Sequence, residues 1–359
     1  MNFPRPASAR WLVLLTLASL AAFPLRSVSA KKSPPANGMI AYQSTEGGNG
    51  FTNDIYVMDA DGKHPKRLTN GPTADDVAPV WSPLGNQIAF LTDRNGSGYE
   101  IYLMNADGSN QRPLRSAAEG GPVLGSNVEW SPDGTKLKFI NFGRVYVVKT
   151  VASGEDNGGG AVSATADAFD SEASWSPDGS KLLVVSSCSC GGSPDLYVAN
   201  VDGSGRTRLT NTPGFEATPR WSPAGGLIAY EADRGGRGIY VANADGTHEH
   251  LVSGAVGSLG AVAWSPDGSR LAFRSLDGGV YVVKTDGTGL ALVSSEPCSG
   301  GDIFWSPDGT RIGFNDSGAG GFYDTFVVNS DGSDRKADNY TKTKRADEFA
   351  CSWQKVLTQ

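Results

Sequence analysis

The sequence is poor in the residues that supply nucleophiles and bases. It has only three histidines and four cysteines among 359 residues, and it lacks the Gly-x-Ser-x-Gly motif that carries a serine nucleophile. The scarcity of histidine argues against an imidazole base, and the missing motif excludes an attached serine hydrolase domain of the α/β type. These absences favour a protein that binds over one that catalyses.

Charge is also scarce. Charged residues make up 19% of the chain, and no run of like charges is long enough to form a nucleic-acid-binding tail. The net charge is −7 at pH 7, so no nucleic-acid partner is expected, because phosphate binding needs a basic face. Glycine is abundant instead, with 47 residues, which is typical of turn-rich β proteins.

The first residues predict an export signal. Arg5 and Arg10 precede an apolar run over 11–22, and Val28 and Ala30 are small residues at −3 and −1 of a cleavage site. The run is short for a membrane span, and no second candidate follows it. We expect residues 1–30 to be a signal peptide, 31–38 a linker and 39–359 the exported domain, located in the periplasm or outside the cell.

A repeat organises the exported domain. The motif Trp-Ser-Pro-Asp-Gly begins at Trp130, Trp175, Trp264 and Trp305, and looser copies begin at Trp81 and Trp221. With Trp353, which lacks the turn, the seven tryptophans stand 41 to 49 residues apart. Each unit divides into four short β-like segments separated by Pro-Asp-Gly and Asp-Gly turns. A repeated four-stranded unit of this length predicts a β-propeller blade.

The two ends of the domain predict how the ring closes. The chain enters at residue 39 with a second strand, so the first unit lacks its Trp strand, while Trp353 has no second strand after it. The fragments complement each other, and the C-terminal strand should join the three N-terminal ones. We therefore expect an all-β, seven-bladed propeller, with six blades as the alternative; closure removes the exposed sheet edge.

The repeat resembles the TolB-type, Trp-Asp-like β-propeller family, in which Trp-Ser-Pro-Asp-Gly precedes an apolar strand and an Ile-Tyr-Val-Met-Asn-type strand ending in Asp-Gly. The resemblance covers residue 39 to the C-terminus. It implies a β-propeller fold. TolB proteins themselves have six blades preceded by an α/β domain, and the eight residues between Ala30 and Met39 leave no room for that domain. The expected similarity is therefore confined to the propeller.

Carboxylates recur where the innermost strands begin. They lie five or three positions before the repeat tryptophans, so several blades would place one at the channel rim: Asp76, Asp170, Glu172, Glu216, Asp302 and Glu348. One interpretation is an acidic rim that binds a cation or a basic peptide, since clefts of one charge focus the field. The other is that these side chains cap backbone amides or pair with arginines that bridge neighbouring blades, such as Arg94 and Arg234.

Two patterns that superficially resemble metal sites have simpler interpretations. The Asp-Gly segments 59–62, 105–108 and 243–246 lack the alternating ligands and closing carboxylate of a calcium loop, and they predict hairpin turns. His248 and His250 are close in sequence, but neither a cysteine nor the remaining histidine, His64, is near them. We predict surface histidines, with no metal and no cofactor.

Four cysteines in an exported chain favour disulfide bonds. Cys298 and Cys351 flank the innermost strands of adjacent blades and form one candidate pair. Cys188 and Cys190 form another, although so short a ring would be strained. Other pairings remain open.

The sequence thus predicts a monomeric, exported scaffold that holds an extracytoplasmic protein or peptide through one face of its channel. The first alternative is a carbohydrate-active lyase or hydrolase that uses acidic channel-mouth residues. The second is a structural surface module.

Overall fold

The computed structural model describes residues 36–46, 52–96, 98–114, 127–150, 162–163, 169–187, 192–254, 258–295, 300–317, 323–334, 337–341 and 347–356. The predicted signal peptide lies outside these ranges. Within them the chain forms 28 strands. None of the described residues belongs to a helix that could cross a bilayer. The first strand begins at Ala36, inside the predicted linker.

The strands follow one another along the chain with short turns between them. The first fourteen are β1 Ala36–Ser44, β2 Asp54–Met58, β3 Lys66–Arg67, β4 Asp76–Trp81, β5 Gln87–Thr92, β6 Glu100–Asn105, β7 Arg112–Pro113, β8 Glu129–Trp130, β9 Lys136–Asn141, β10 Arg144–Lys149, β11 Val162–Ser163, β12 Asp170–Trp175, β13 Lys181–Ser186 and β14 Asp195–Asn200. The others are β15 Thr207–Arg208, β16 Glu216–Trp221, β17 Leu227–Asp233, β18 Arg237–Asn243, β19 His250–Ser253, β20 Ser258–Trp264, β21 Arg270–Ser275, β22 Val280–Lys284, β23 Ala291–Ser294, β24 Gly300–Trp305, β25 Arg311–Ser317, β26 Tyr323–Asn329, β27 Asp338–Asn339 and β28 Glu348–Val356.

These strands form seven four-stranded antiparallel sheets, which we call blades I to VII. Blade I combines β28 with β1, β2 and β3, and blades II to VII each take four consecutive strands. In blade I, Trp353 of β28 lies opposite Ile40 of β1. The predicted all-β propeller with seven blades and a composite closing blade is therefore confirmed, and the six-bladed alternative is wrong.

The tryptophan-bearing strand is the innermost strand of each blade. Contacts between these innermost strands run from β28 to β4 and from β4 to β8. They also run from β12 through β16, β20 and β24 to β28. Each of these strands starts on the face that also carries the turns between second and third strands, which we call the rim face. The Trp-Ser-Pro turns lie on the opposite face.

Apolar side chains from both sheet faces fill the seams between blades. Between blades IV and V, for example, Leu183 and Val185 pack with Ile228, Tyr230 and Ala232, all nearly or fully buried. Each buried leucine, isoleucine or valine of this kind contributes about 1.5–3 kcal/mol relative to exposure. A single blade could not bury both of its faces, so the ring of neighbours stabilises each of them.

Hydrogen bonds within the turn explain why the motif repeats. In blade III, Ser131 Oγ donates to Asp133 Oδ1, which also accepts the amide hydrogen of Thr135 at 3.0 Å. Gly134 adopts φ 70°, a left-handed conformation that glycine tolerates. These hydrogen bonds favour the charged carboxylate and lower the pKa of Asp133 to about 2.

The repeat tryptophans also join the blades through hydrogen bonds. In most of these seams the indole Nε1 donates to the carbonyl of the residue before the tryptophan of the preceding blade. The bonds run from Trp130 to Val80 (3.1 Å), Trp175 to Glu129 (3.3 Å), Trp264 to Arg220 (3.1 Å) and Trp305 to Ala263 (3.1 Å).

Candidate functional site

Four of the six predicted rim carboxylates are buried and bonded to a side chain of their own blade. The bonds are Arg94 to Asp76 at 3.0 Å, Arg206 to Asp170 at 3.3 Å, Arg234 to Glu216 at 2.6 Å and Ser44 Oγ to Glu348 at 3.3 Å. Arg94 and Arg234 do pair with the rim carboxylates Asp76 and Glu216, but each pair lies within one blade, so the expectation that these arginines bridge neighbouring blades is wrong. Arg206 was not anticipated, because it precedes the fourth strand and reaches the rim along the blade.

Each arginine also lies over the ring of a third-strand tyrosine. The guanidinium carbon stands 4.6 Å from the Tyr102 ring centroid for Arg94, 4.5 Å from Tyr197 for Arg206 and 5.4 Å from Tyr240 for Arg234. Such cation–π contacts add to the ion pairs and fix the long side chains. We call each carboxylate, arginine and tyrosine set a rim clamp.

Glu216 shows the electrostatics of a rim clamp most clearly. Its burial raises the pKa of the carboxyl group, while hydrogen bonds from Thr212 and Arg234 and the charge of Arg234 oppose that rise. The arginine therefore compensates a carboxylate that burial alone would neutralise. A carboxylate paired with an arginine stabilises the channel mouth and adds little net charge to it.

The other two rim carboxylates differ. Glu172 is half-buried on β12, whereas the side chain of Asp302 lies outside the described part of the structure. The rim as a partner-contacting surface stays a prediction.

Blade III has no carboxylate five positions before its tryptophan and carries a buried cation instead. The Lys138 side chain is fully buried, and its Nζ lies 3.0 Å from Glu129 Oε2 and 3.2 Å from the Asn127 carbonyl oxygen. Asn127 Oδ1 accepts a further bond at 2.5 Å. Burial lowers the pKa of Lys138, and the charge of Glu129 opposes this.

The histidines and Asp-Gly turns lie on the face opposite the rim. His64 Nδ1 lies 2.8 Å from Asp59, His250 Nε2 lies 2.9 Å from the Thr285 carbonyl, and all three histidines are exposed. In the turn 105–108, Asp107 accepts the amide hydrogen of Ser109 and Gly108 has φ 89°. The hairpin prediction is confirmed for these segments, and no metal-binding cluster occurs among the described residues.

The cysteine predictions cannot be followed into the structure. Cys188, Cys190 and Cys298 lie outside the described residues, and Cys351 belongs to β28 without a described side chain. Both candidate disulfides stay predictions.

The rim face also presents two phenylalanines that sequence reasoning missed. Phe142 is 74% exposed at the turn between β9 and β10, and Phe169 is 50% exposed immediately before β12. The amide of Asp170 donates to the carbonyl of Gly143 at 2.8 Å, which joins the two segments across the seam between blades III and IV. We call Phe142 and Phe169 the aromatic pair.

The backbone at Phe142 is unusual. Phe142 has φ 46° and Gly143 has φ 70°, so the two form a left-handed, type I′-like hairpin turn. Asparagine and glycine suit its first position, whereas a bulky L-residue there is strained. The sequence signal was present in Asn141-Phe142-Gly143, where a phenylalanine replaces the usual turn residue.

Together these features define a closed, seven-bladed β-propeller whose rim is braced by buried ion pairs. Residues 96–255 match the family model described as the TolB beta propeller domain. The match covers less than half of the chain, and together with the fold and the repeat it supports a TolB-type β-propeller family.

Similarity to individual proteins is partial. A Tol-Pal system protein TolB of Bordetella pertussis is 31% identical over 166 residues, which cover 45% of this chain and 35% of that protein. The match therefore spans about a third of that relative's length.

Two solved structures share the fold. An oligogalacturonate lyase in complex with manganese has a TM-score of 0.61 at 16% identity, over 86% of this chain and 85% of the other. A puromycin hydrolase mutant has a TM-score of 0.65 at 16% identity, over 87% and 54%. Likeness at this level of identity concerns the fold alone.

Proposed function

We propose that this chain is an exported binding protein that holds another extracytoplasmic protein or peptide over the channel mouth on its rim face. The aromatic pair carries the proposal. Exposed phenylalanine side chains are costly in water, and the left-handed backbone at Phe142 adds strain. Large aromatic side chains of this kind commonly anchor protein interfaces.

The rim carboxylates belong to the same proposal in a supporting role. The buried Asp76, Asp170, Glu216 and Glu348 hold the turns that surround the mouth, and Asp170 is also the residue whose amide anchors the Gly143 turn. We propose Glu172 and Asp302 as direct contacts, because they stand two residues further along their strands.

Similarity to a Tol-Pal system protein supports the binding role. The Bordetella relative is a component of the Tol-Pal system by name, which favours a role with partner proteins. The lyase and the hydrolase share only the fold with this chain, and no residue of theirs is transferred to it. We propose that the propeller acts as a monomer in the periplasm or outside the cell.

Site-specific photo-cross-linking tests the proposal. p-Benzoylphenylalanine is introduced at position 142 in the exported chain, and cross-linked products are identified by mass spectrometry. Position 84 is the matched control, because Leu84 is 49% exposed in a turn on the opposite face. We expect one defined partner to be cross-linked from position 142 and not from position 84.

The same partner should lose affinity for Phe142→Asn and for Phe169→Ser, while Leu84→Asn binds as the wild type does. A partner captured equally by all variants would move the binding site to another surface. Cross-linking from position 84 alone would refute the rim face as the binding face.

A further inference from the structure

The turn that carries Phe142 is joined to the neighbouring blade. Phe142 and Gly143 both have left-handed backbones, and a bulky residue in that conformation is strained. Strained conformations persist only where the surrounding structure holds them in place. The Asp170 amide of blade IV supplies such support, because it donates to the Gly143 carbonyl at 2.8 Å. The position of Asp170 therefore bears directly on the position of Phe142.

Arg206 holds the side chain of Asp170. Its Nη2 donates to Asp170 Oδ1 at 3.3 Å, and within the described ranges the other carboxylate oxygen has no hydrogen-bond partner. Asp170 is only 2% exposed, so solvent offers little compensation if the guanidinium is lost. The place of this buried carboxylate thus depends strongly on one cation.

The clamp of blade IV lies in the seam with blade III. Tyr197, whose ring contacts the guanidinium of Arg206, pairs with Val184 on the neighbouring strand. Val184 belongs to the same buried cluster as Val147 of blade III. Because directly paired residues share one face of a sheet, the Tyr197 side chain also faces blade III. The clamp is therefore on the side of blade IV that meets the turn of Phe142.

The clamp of blade II is built more firmly and supports a different kind of residue. Arg94 Nη2 bonds to both oxygens of Asp76, at 3.0 and 3.1 Å. The amide of Asp76 donates to the carbonyl of Asn53 in blade I at 2.9 Å, the counterpart of the bond between Asp170 and Gly143. Asn53 is half-buried, in contrast to the exposed Phe142. Blade II thus provides a matched comparison.

Arg206 also replaces an arginine that blade IV lacks. Arg94 and Arg234 stand thirteen positions after the repeat tryptophans of their blades, whereas blade IV has Cys188 at that position. A guanidinium nevertheless reaches Asp170, from the segment that precedes β15. The same kind of clamp is therefore assembled from a different part of the chain, which indicates that this seam needs a cation.

We propose that Arg206 is a positioning residue of the partner-binding site. By holding Asp170 it fixes the Gly143 carbonyl, and with it the exposed ring of Phe142, without touching the partner itself. This inference rests on the proposed function, because it gives the clamp of blade IV the task of presenting Phe142 to that partner.

Three readouts in the exported chain test the positioning. The ¹⁹F signal of 4-fluorophenylalanine at position 142 reports on the ring, and amide hydrogen exchange of Asp170 reports on its bond to Gly143. The third readout is the yield of cross-linked product from p-benzoylphenylalanine at position 142. The first two need no partner, so they separate the positioning from the proposed function.

Single variants assign the role. Arg206→Gln should accelerate exchange of the Asp170 amide about tenfold or more, because a charge-assisted hydrogen bond is lost. It should also change the ¹⁹F signal and lower the cross-linking yield several-fold. Arg206→Lys keeps the cation and should restore part of all three readouts. Arg94→Gln is the matched control, because it breaks the clamp of blade II and should leave the Asp170 exchange and the ¹⁹F signal unchanged.

A double variant separates positioning from stability. Arg206→Gln combined with Asp170→Asn leaves no buried charge unpaired, so its Tm should recover much of what Arg206→Gln loses. The ¹⁹F signal and the cross-linking yield should nevertheless stay altered, because the guanidinium that fixed the seam is still missing.

Three results would overturn the assignment. They are unchanged Asp170 exchange and ¹⁹F signal in Arg206→Gln, equal changes of both readouts in Arg94→Gln, and a full cross-linking yield in Arg206→Gln despite an altered ¹⁹F signal. If the wild type gives no cross-linked product, the proposed function fails instead, and the exchange and ¹⁹F readouts still decide whether Arg206 positions Phe142.

Discussion

The rim clamp of blade V makes a quantitative prediction. In Arg234→Gln the Glu216 carboxylate, whose side chain is fully buried, loses the guanidinium that lies 2.6 Å away and keeps the hydrogen bond from Thr212 at 2.8 Å. Removing one partner of a buried ion pair costs about 3–5 kcal/mol. Because Thr212 still donates, we expect the lower end of that range. At about 2–4 °C per kcal/mol, the Tm should fall by roughly 6 °C or more.

The pH dependence of this loss gives the sharper test. Burial already raises the pKa of Glu216, and losing Arg234 raises it further. A carboxyl group whose pKa is raised in the folded state is most compatible with folding below its unfolded pKa, and it destabilises the fold as the pH rises. The Tm difference between variant and wild type should therefore be large at pH 7, shrink as the pH falls through the raised pKa of the folded state, and be smallest below the ordinary value of 4.5.

Thermal unfolding between pH 4 and 8 measures both effects. Arg234→Gln combined with Glu216→Gln should recover much of the stability at pH 7, because no buried charge is left unpaired. Lys63→Gln is the matched control, since its ion pair with Asp61 is exposed and should be of no measurable consequence. A Tm difference that is constant across this range would refute the buried-charge explanation.

Three further predictions follow from the same structure. Phe142→Asn should raise the Tm by roughly 2 °C, since relieving left-handed strain is worth about 1 kcal/mol, and should weaken partner binding; a lower Tm would contradict the strain. The pKa values of Asp133 and Asp178 are about 2 in the folded protein, below the unfolded value of 3.8. The two turns therefore contribute stability above pH 3.8 and lose it as the pH falls toward 2. Asp133→Asn should make the stability less dependent on pH in this acid range. Lys138→Gln should lower the Tm far more than Lys136→Gln, because only Lys138 is buried with three acceptors; equal shifts would show that the buried ammonium is not structurally important.

The architecture could be predicted from the sequence because its signals repeat. The tryptophan spacing gives the blade period, and the two incomplete terminal units predict the composite blade that pairs Trp353 with Ile40. A repeated signal averages over local exceptions, such as the degenerate turn after Trp221. The prediction of the fold therefore did not depend on any one residue.

The site was less predictable because it depends on exceptions to the repeat. Arg206 reaches Asp170 only by running over the Tyr197 ring, a path that strand assignment cannot give. The left-handed turn of Phe142 is joined to the next blade by the hydrogen bond from the Asp170 amide. Such features arise from tertiary contacts, so the order of residues along the sequence does not predict them.

The last strand completes the composite blade, so the ring closes only when nearly the whole chain is present. The Trp353 indole donates to the Gly38 carbonyl, 315 residues away in sequence, so this contact can form only when nearly the entire chain is available. Contacts of such long range form late, because loop closure must be completed before they stabilise the fold. A polypeptide that ends before Glu348 would leave the β1 edge open for pairing with other chains. A chain truncated before Glu348 should therefore associate with other chains through the open β1 edge and aggregate.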